Sequence, residues 1–275
     1  MKFLIRTKPS RVRVPMSQAG ISLIELMVGL AAGLVLIAGA SQVYLANKQT
    51  YRLQDAQSRL QEDGRFVAEF LAKTIRPAGF KTYSWTAATA GYPIVAGTGT
   101  NPAFAARGQV ISAVYGSGSV ADLRKLSVRY QGAADGSLQD CLGGALAANT
   151  TAISTFSVDT KGDTIASNDE LQCTATNGGT TTTQPFVNGF GITHILFGVD
   201  TDSPMDRAAN RYLSAANVGA NWANVVSVRV SYQLVSSENN LLAAPESYTL
   251  NGVNYTDRRL RRNFSTTIAL RNGVP

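Results

Sequence analysis

Few side chains in this sequence have the spacing that chemistry demands. The one histidine, His194, lies in the apolar run "GITHILFGVD" (191–200) with no obvious catalytic partner, so it reads as a structural side chain. No nucleophile elbow, phosphate loop or zinc-helix motif is present, and "GSGS" (116–119) reads as a turn. "DTDSPMD" places Asp200, Asp202 and Asp206 in one loop after a strand. Carboxylates at such positions can supply oxygen ligands to calcium. The glycine and distal glutamate of a calcium loop are missing, so the three are weak metal candidates and no metal or cofactor is expected. "DRRLRR" (257–262) offers Arg258, Arg259, Arg261 and Arg262 to DNA phosphates or to an acidic partner. It leads into a strand, so alternate arginines should face solvent, and nucleic-acid binding is not expected.

Two further features ask for an explanation. "MSQAGISLIELMVGLAAGLVLIAG" (16–39) carries a single acid, Glu25, in a nearly unbroken apolar run. A carboxylate deep in hydrocarbon costs about 3 kcal/mol unless it is paired. The two cysteines, Cys141 and Cys173, fit no zinc pattern, since no CxxC pair accompanies them. If this region is exported, a disulfide is the natural reading. It would close a loop of 33 residues, an entropic stabilisation of about 3 to 4 kcal/mol.

The elements that position these residues begin with a helix. The apolar run from Ile21 to about Leu45 would span about 37 Å as a helix, enough to cross a bilayer core of about 30 Å. Gly29, Gly33 and Gly39 lie within it. The helical pattern continues through "NKQTYRLQDAQSRLQEDGRFVAEFLAKTIR" (47–76). There Leu53, Ala56, Leu60, Val67, Phe70, Leu71 and Ile75 form a stripe opposed by Arg52, Asp55, Arg59, Glu62, Asp63, Glu69 and Lys73. Pro77 and Gly79 end the helix. Residues 81–108 read as irregular. Short β-like runs follow at 109–116, 123–131, 170–175, 191–200, 225–236 and 262–272, separated by polar linkers such as "TNGGTTTTQP". In "VVSVRVSYQLV", Val226, Val228, Val230, Tyr232 and Leu234 alternate with polar residues, as in an antiparallel sheet with one buried face.

Charge locates the ends of this arrangement. The chain of 275 residues carries +7, but residues 1–20 alone hold five bases and no acid. The remainder is nearly balanced, so the high pI reflects a basic tail rather than a nucleic-acid-binding surface. A basic stretch before an apolar run reads as a cytoplasmic flank under the positive-inside rule. Three readings compete for residues 1–45. A secretory signal cut after "AGA" (38–40) would release a soluble protein, but the helical pattern runs through that cut. A plain anchor leaves Glu25 unexplained. A cut between Gly20 and Ile21 removes all five leader charges and makes Glu25 the fifth residue of the mature chain. A neighbouring subunit's N-terminal amine could then pair with it in a helical bundle.

At these residues a family resemblance emerges. "G-ISLIELMVGLAAGLVLIAG" resembles the class III signal of type IV prepilins: basic leader, glycine, apolar first residue, glutamate at mature position five, long apolar helix. It departs from the family in having Ile21 where Phe is usual and Gln18-Ala19 where a base often precedes the cut. "QTYRLQDAQSRLQEDGRFVAEFLAKTIRPAGF", "FGVDTD", "VVSVRVSYQLVS" and "RLRRNFSTTIALRN" are similar to PilW-type minor pilins of the type IV pilus. The resemblance implies cleavage by a prepilin peptidase after Gly20, N-methylation of Ile21 and an assembly or docking role for Glu25.

The expected fold class is α+β: a long N-terminal helix with an antiparallel β-rich C-terminal head. The expected domains are a cleaved leader at 1–20, a pilin-like helix at 21–80 with its transmembrane part at 21–45, and a periplasmic head at 81–275. The resemblance implies a non-enzymatic role in pilus assembly, in a tip or priming complex with other minor pilins and the major pilin. It implies an inner-membrane, single-pass location before export to a surface fibre, and no small-molecule substrate. The alternative is a J-type pseudopilin of type II secretion; a more distant one is an exported soluble hydrolase.

Overall fold

The computed structural model describes residues 20–82, 92–97, 102–115 and 123–272. Nearly all of the basic leader and the "GSGS" stretch lie outside them. The chain divides into two compact units, Met1–Thr50 and Tyr51–Pro275.

Helix α1 runs from Leu23 to Ile75. Its N-terminus is capped by Ser22, whose Oγ accepts the Glu25 backbone N–H at 3.2 Å. In the first unit the large apolar side chains face outward: Leu23, Val28, Leu34 and Leu36 are all exposed. Among the described residues, α1 is the one helix long and apolar enough to cross a membrane.

In the second unit the later turns of α1 bury a stripe of Ala56, Leu60, Gly64, Val67, Leu71, Thr74 and Ile75, close to the stripe that the spacing predicts. The helix stops where Pro77 disfavours its continuation. Gly79 follows at a φ of +84°, and its N–H bonds the Arg129 carbonyl at 2.9 Å. A Cβ there would meet the Asn272 carbonyl oxygen at 2.4 Å, so both backbone conformation and space require glycine.

Two antiparallel sheets and a hairpin complete this unit. The first sheet has the order β1 (Ile111–Tyr115), β2 (Leu123–Gln131), β3 (Thr151–Asp159), β4 (Glu170–Asn177), β5 (Thr180–Asn188). The second joins β6 (Phe190–Val199), β7 (Arg211–Leu213), β8 (Val225–Val235) and β11 (Arg261–Ala269) in the order β11-β8-β6-β7. β9 (Glu246–Leu250) and β10 (Val253–Asp257) form the hairpin. The architecture is therefore α+β, a long N-terminal helix followed by antiparallel sheets. The helix stripe joins one core with side chains from both sheets, including Tyr130, Phe156, Phe190, Phe197 and Tyr232. Phe70 of α1 touches Phe186 of β5 and Phe156 of β3, with ring centroids at 4.2 and 5.7 Å.

The linker reading of "TNGGTTTTQP" is corrected. It contains the end of β4, the Gly178-Gly179 turn, both residues at positive φ, and most of β5. β5 is exposed over most of its length, so no apolar alternation marks it. Its Thr181 and Thr183 hydroxyls pair across the strands with Thr176 and Thr174. β3, β7, β9 and β10 also lie outside the runs expected from alternation.

Gly64 sets the approach of helix to sheet. Its carbonyl accepts the Tyr232 hydroxyl at 2.6 Å, and an added Cβ would lie 2.3 Å from the Phe264 ring. Overpacking at Gly64→Ala outweighs the gain in helix propensity, for a net loss of about 1 to 2 kcal/mol. Chemical denaturation should show it; an unchanged midpoint would mean that Phe264 turns aside freely.

Asp169 fastens the hairpin to the rest of the head. Fully buried, it accepts the Tyr255 hydroxyl at 2.9 Å and the Asn251 amide at 2.8 Å. Burial raises its pKa despite these donors. The ionised form is thus disfavoured in the fold. The associated stability is complete below the ordinary Asp value of about 4 and is lost as pH rises through the folded value. Asp169→Asn should flatten the pH dependence of the denaturation midpoint in that window. A slope equal to that of the wild type would contradict this role.

Candidate functional site

Glu25 lies in the first turn of α1 and is exposed, as is Ile21. Ser22 and Glu25 have the spacing of a capping box, and a carboxylate in the first turn is favoured by the helix dipole. "SLIE" carried this signal in the sequence, and the structure shows the Ser22 half of it. Among the described residues, a methyl group placed on Gly20 would meet nothing within 4 Å. Gly29, Gly33 and Gly39 are equally open.

Cys141 and Cys173 form a disulfide. Cys173 lies within β4 and Cys141 in the segment between β2 and β3, both buried. The Cys141 N–H bonds Ser154 Oγ at 3.3 Å, and the Tyr130 hydroxyl bonds the Gln139 carbonyl at 2.9 Å. The bridge thus pins the segment leading from β2 onto the first sheet.

The structure brings Asp200, Asp202 and Asp206 together, with one carboxylate oxygen from each within 4.8 Å of the others. Each also accepts bonds within the loop. Asp200 takes the N–H groups of Asp202 and Arg207 at 3.1 and 2.7 Å, Asp202 takes Asn210 Nδ2 at 2.8 Å, and Asp206 takes the Ala208 N–H at 2.8 Å. The carboxylates shape the loop, and the donor set is that of an ordinary Asx-rich turn.

The arginines divide as their alternation predicts. Arg259 donates to the Ser236 carbonyl at 2.9 Å, and Arg261 pairs with Glu246 and lies 4.1 Å over the Tyr248 ring. Arg258 and Arg262 are exposed. His194 is exposed beside a register shift between β6 and β8.

Sequence reasoning missed two features of the head. Arg129 of β2 is buried between the Tyr92 and Phe104 rings, at 4.9 and 4.3 Å, and donates to the Gln109 and Pro93 carbonyls. Desolvation lowers its pKa to about 10. In sequence it is one base in an alternating strand, and nothing local marks it as buried. The other feature is Phe66, an aromatic on the polar side of α1 that remains 46% exposed. Its position off the stripe was the available signal.

Residues 155–272 match the family model described as type IV pilus-assembly protein W, and residues 15–41 match the prokaryotic N-terminal methylation motif. No curated protein sequence matches the chain. A solved structure with some likeness is a type IV-like pilin from Thermus thermophilus. It aligns over 79% of this chain and 98% of its own, at 11% identity and a TM-score of 0.42. The two family matches bracket the chain, one on the N-terminal signal and one on the head, and with the helix-and-sheet fold they support a PilW-like type IV pilin with a prepilin-type signal.

Proposed function

We propose that this chain is a minor pilin that takes part in type IV pilus assembly, in a tip or priming complex with other minor pilins. Prepilin peptidase cuts after Gly20 and the new amine of Ile21 is methylated. Residues 21–45 then hold the protein in the inner membrane with the remainder in the periplasm, before the apolar helix enters the fibre. The role is structural and its chemistry non-covalent: apolar helix packing plus a contact between Glu25 and a neighbour's N-terminal amine.

One observation carries this reading. Glu25 stands in the first turn of a membrane-length helix, four residues after Ile21. A docking charge, set at a fixed distance from a new N-terminus, accounts for an acid at that place. The apolar side chains around Glu25 are exposed, a surface that hydrocarbon or neighbouring helices would cover.

The test is complementation of a strain lacking this chain. Wild-type protein should restore surface fibres. Gly20→Val should leave the leader attached and restore none, while the head keeps its wild-type denaturation midpoint. Fibres made equally well by Gly20→Val, or undiminished in the deletion strain, would overturn the proposal.

A further inference from the structure

The head has a cleft that none of the assigned features uses. It measures about 680 Å³ and lies between α1, the end of β5 and the segment after β8. Its base is apolar: Leu60, Val187 and Val235 are buried there, and the exposed ring of Phe66 stacks on Phe70 with centroids 5.9 Å apart. Its rim carries the acids Asp55, Glu62, Asp63 and Glu238.

Two of these four acids are already neutralised. Arg59 pairs with Asp55 at 3.0 Å and Arg52 with Glu238 at 3.1 Å. Among the described residues, Glu62 and Asp63 take part in no ion pair within 4.0 Å. They are adjacent in sequence, so each charge works against the other. Asp63 shows the consequence: burial, then Glu62, raise its pKa against the attraction of Arg59. A positive charge placed here would relieve both effects. The end of β5 borders the cleft; β5 is the edge strand of its sheet, and among the described residues no strand pairs with its other side. An unpaired edge can accept an extended chain.

We propose that this cleft docks a basic, extended segment of another pilin subunit, with lysine or arginine side chains meeting Glu62 and Asp63 and an apolar side chain covering Phe66. The argument is charge complementarity: two unpaired carboxylates over an apolar base with an exposed aromatic select a partner that is both cationic and apolar. The volume suits a few side chains rather than a whole domain. The inference rests on the pilin reading above and assigns the head its own contact, separate from the helix.

The test uses full-length protein in fibre-forming cells, with benzoylphenylalanine at Phe66 as a photo-cross-linker and the same probe at Leu36 as reference. Irradiation should attach the Phe66 probe to a peptide of another pilin carrying at least two basic residues. The double variant Glu62→Lys/Asp63→Lys should cut that yield at least about tenfold, because like charges facing across an interface are strongly disfavoured. Its denaturation midpoint is measured alongside. Glu62→Gln/Asp63→Asn removes the charge at nearly constant shape and should give an intermediate loss. Attachment to lipid, to a second copy of this chain or to a segment without bases would overturn the proposal, as would a yield that ignores both double variants. A Leu36 probe that captures pilin while the Phe66 probe does not would sink this inference alone. If neither probe reaches a pilin and the leader remains uncut, the pilin reading fails with it.

Discussion

Replacing Glu25 with alanine should leave a chain that is inserted and cleaved but enters fibres at least about tenfold less well. The size follows from the cost of a buried charge. An unpaired carboxylate in hydrocarbon costs about 3 kcal/mol, and each 1.4 kcal/mol recovered by pairing is a factor of ten. The variant removes the penalty in the membrane together with the contact in the fibre, so it should insert at least as readily as wild type while docking poorly. Alanine has a side effect, because Glu25 also occupies the acidic position of a capping box begun by Ser22. Glu25→Gln separates the two roles, since glutamine suits the capping box without bringing a charge. If charge pairing is the function, glutamine and alanine fail alike. If the helix start is what matters, glutamine rescues assembly. Fibre counts with an immunoblot of the processed form distinguish these results, and normal fibres from both variants would remove the docking role.

The second large effect lies in the head. Cys141→Ala/Cys173→Ala should lower its stability by about 3 to 4 kcal/mol, from the loop entropy restored to the unfolded chain. Alanine is the better test than serine, because both sites are buried and a hydroxyl would add its own desolvation cost. Against a usual total of about 5 to 15 kcal/mol this is a large fraction. It corresponds to a fall in Tm of about 10 °C for a unit of this size. Residual contacts keep the loop ends close, since the Cys141 N–H bonds Ser154 Oγ on β3 at 3.3 Å and β3 pairs with β4, which carries Cys173, so the variant should still fold at low temperature. Thermal denaturation of wild-type and double-alanine protein checks this, and coincident curves would contradict it. A bridge of this kind also suits an oxidising compartment, in line with the periplasmic location proposed for the head.

Legibility in the sequence followed the strength of local signals. The long helix and its buried stripe were readable because 3.6-residue periodicity persists from the apolar run to Ile75, where Pro77 stops it. β8 was readable because one face is buried along its length. β5 was not, because its threonines face solvent and its strand character comes from pairing with β4. The hairpin of β9 and β10 is held by a buried carboxylate, Asp169, from 77 or more positions earlier in the chain, and no short-range pattern encodes that contact. At the N-terminus, Gly20, Ile21 and Glu25 stood out because each breaks or begins a compositional run. The cleft was not legible: Glu62 and Asp63 read as an ordinary wet helix face, and only the arrival of β5 and the segment after β8 makes that face one side of a groove. The cysteine pair occupies a middle position, since its bonding could be anticipated from export but its place on β4 could not.

The start of the mature chain separates the pilin reading from its alternatives, and mass spectrometry of the N-terminal peptide from membrane fractions measures this directly. The expected chain starts at Ile21 with a methylated α-amine. A chain that starts at Ser41 in the soluble fraction, or that keeps residues 1–20, would contradict the pilin reading.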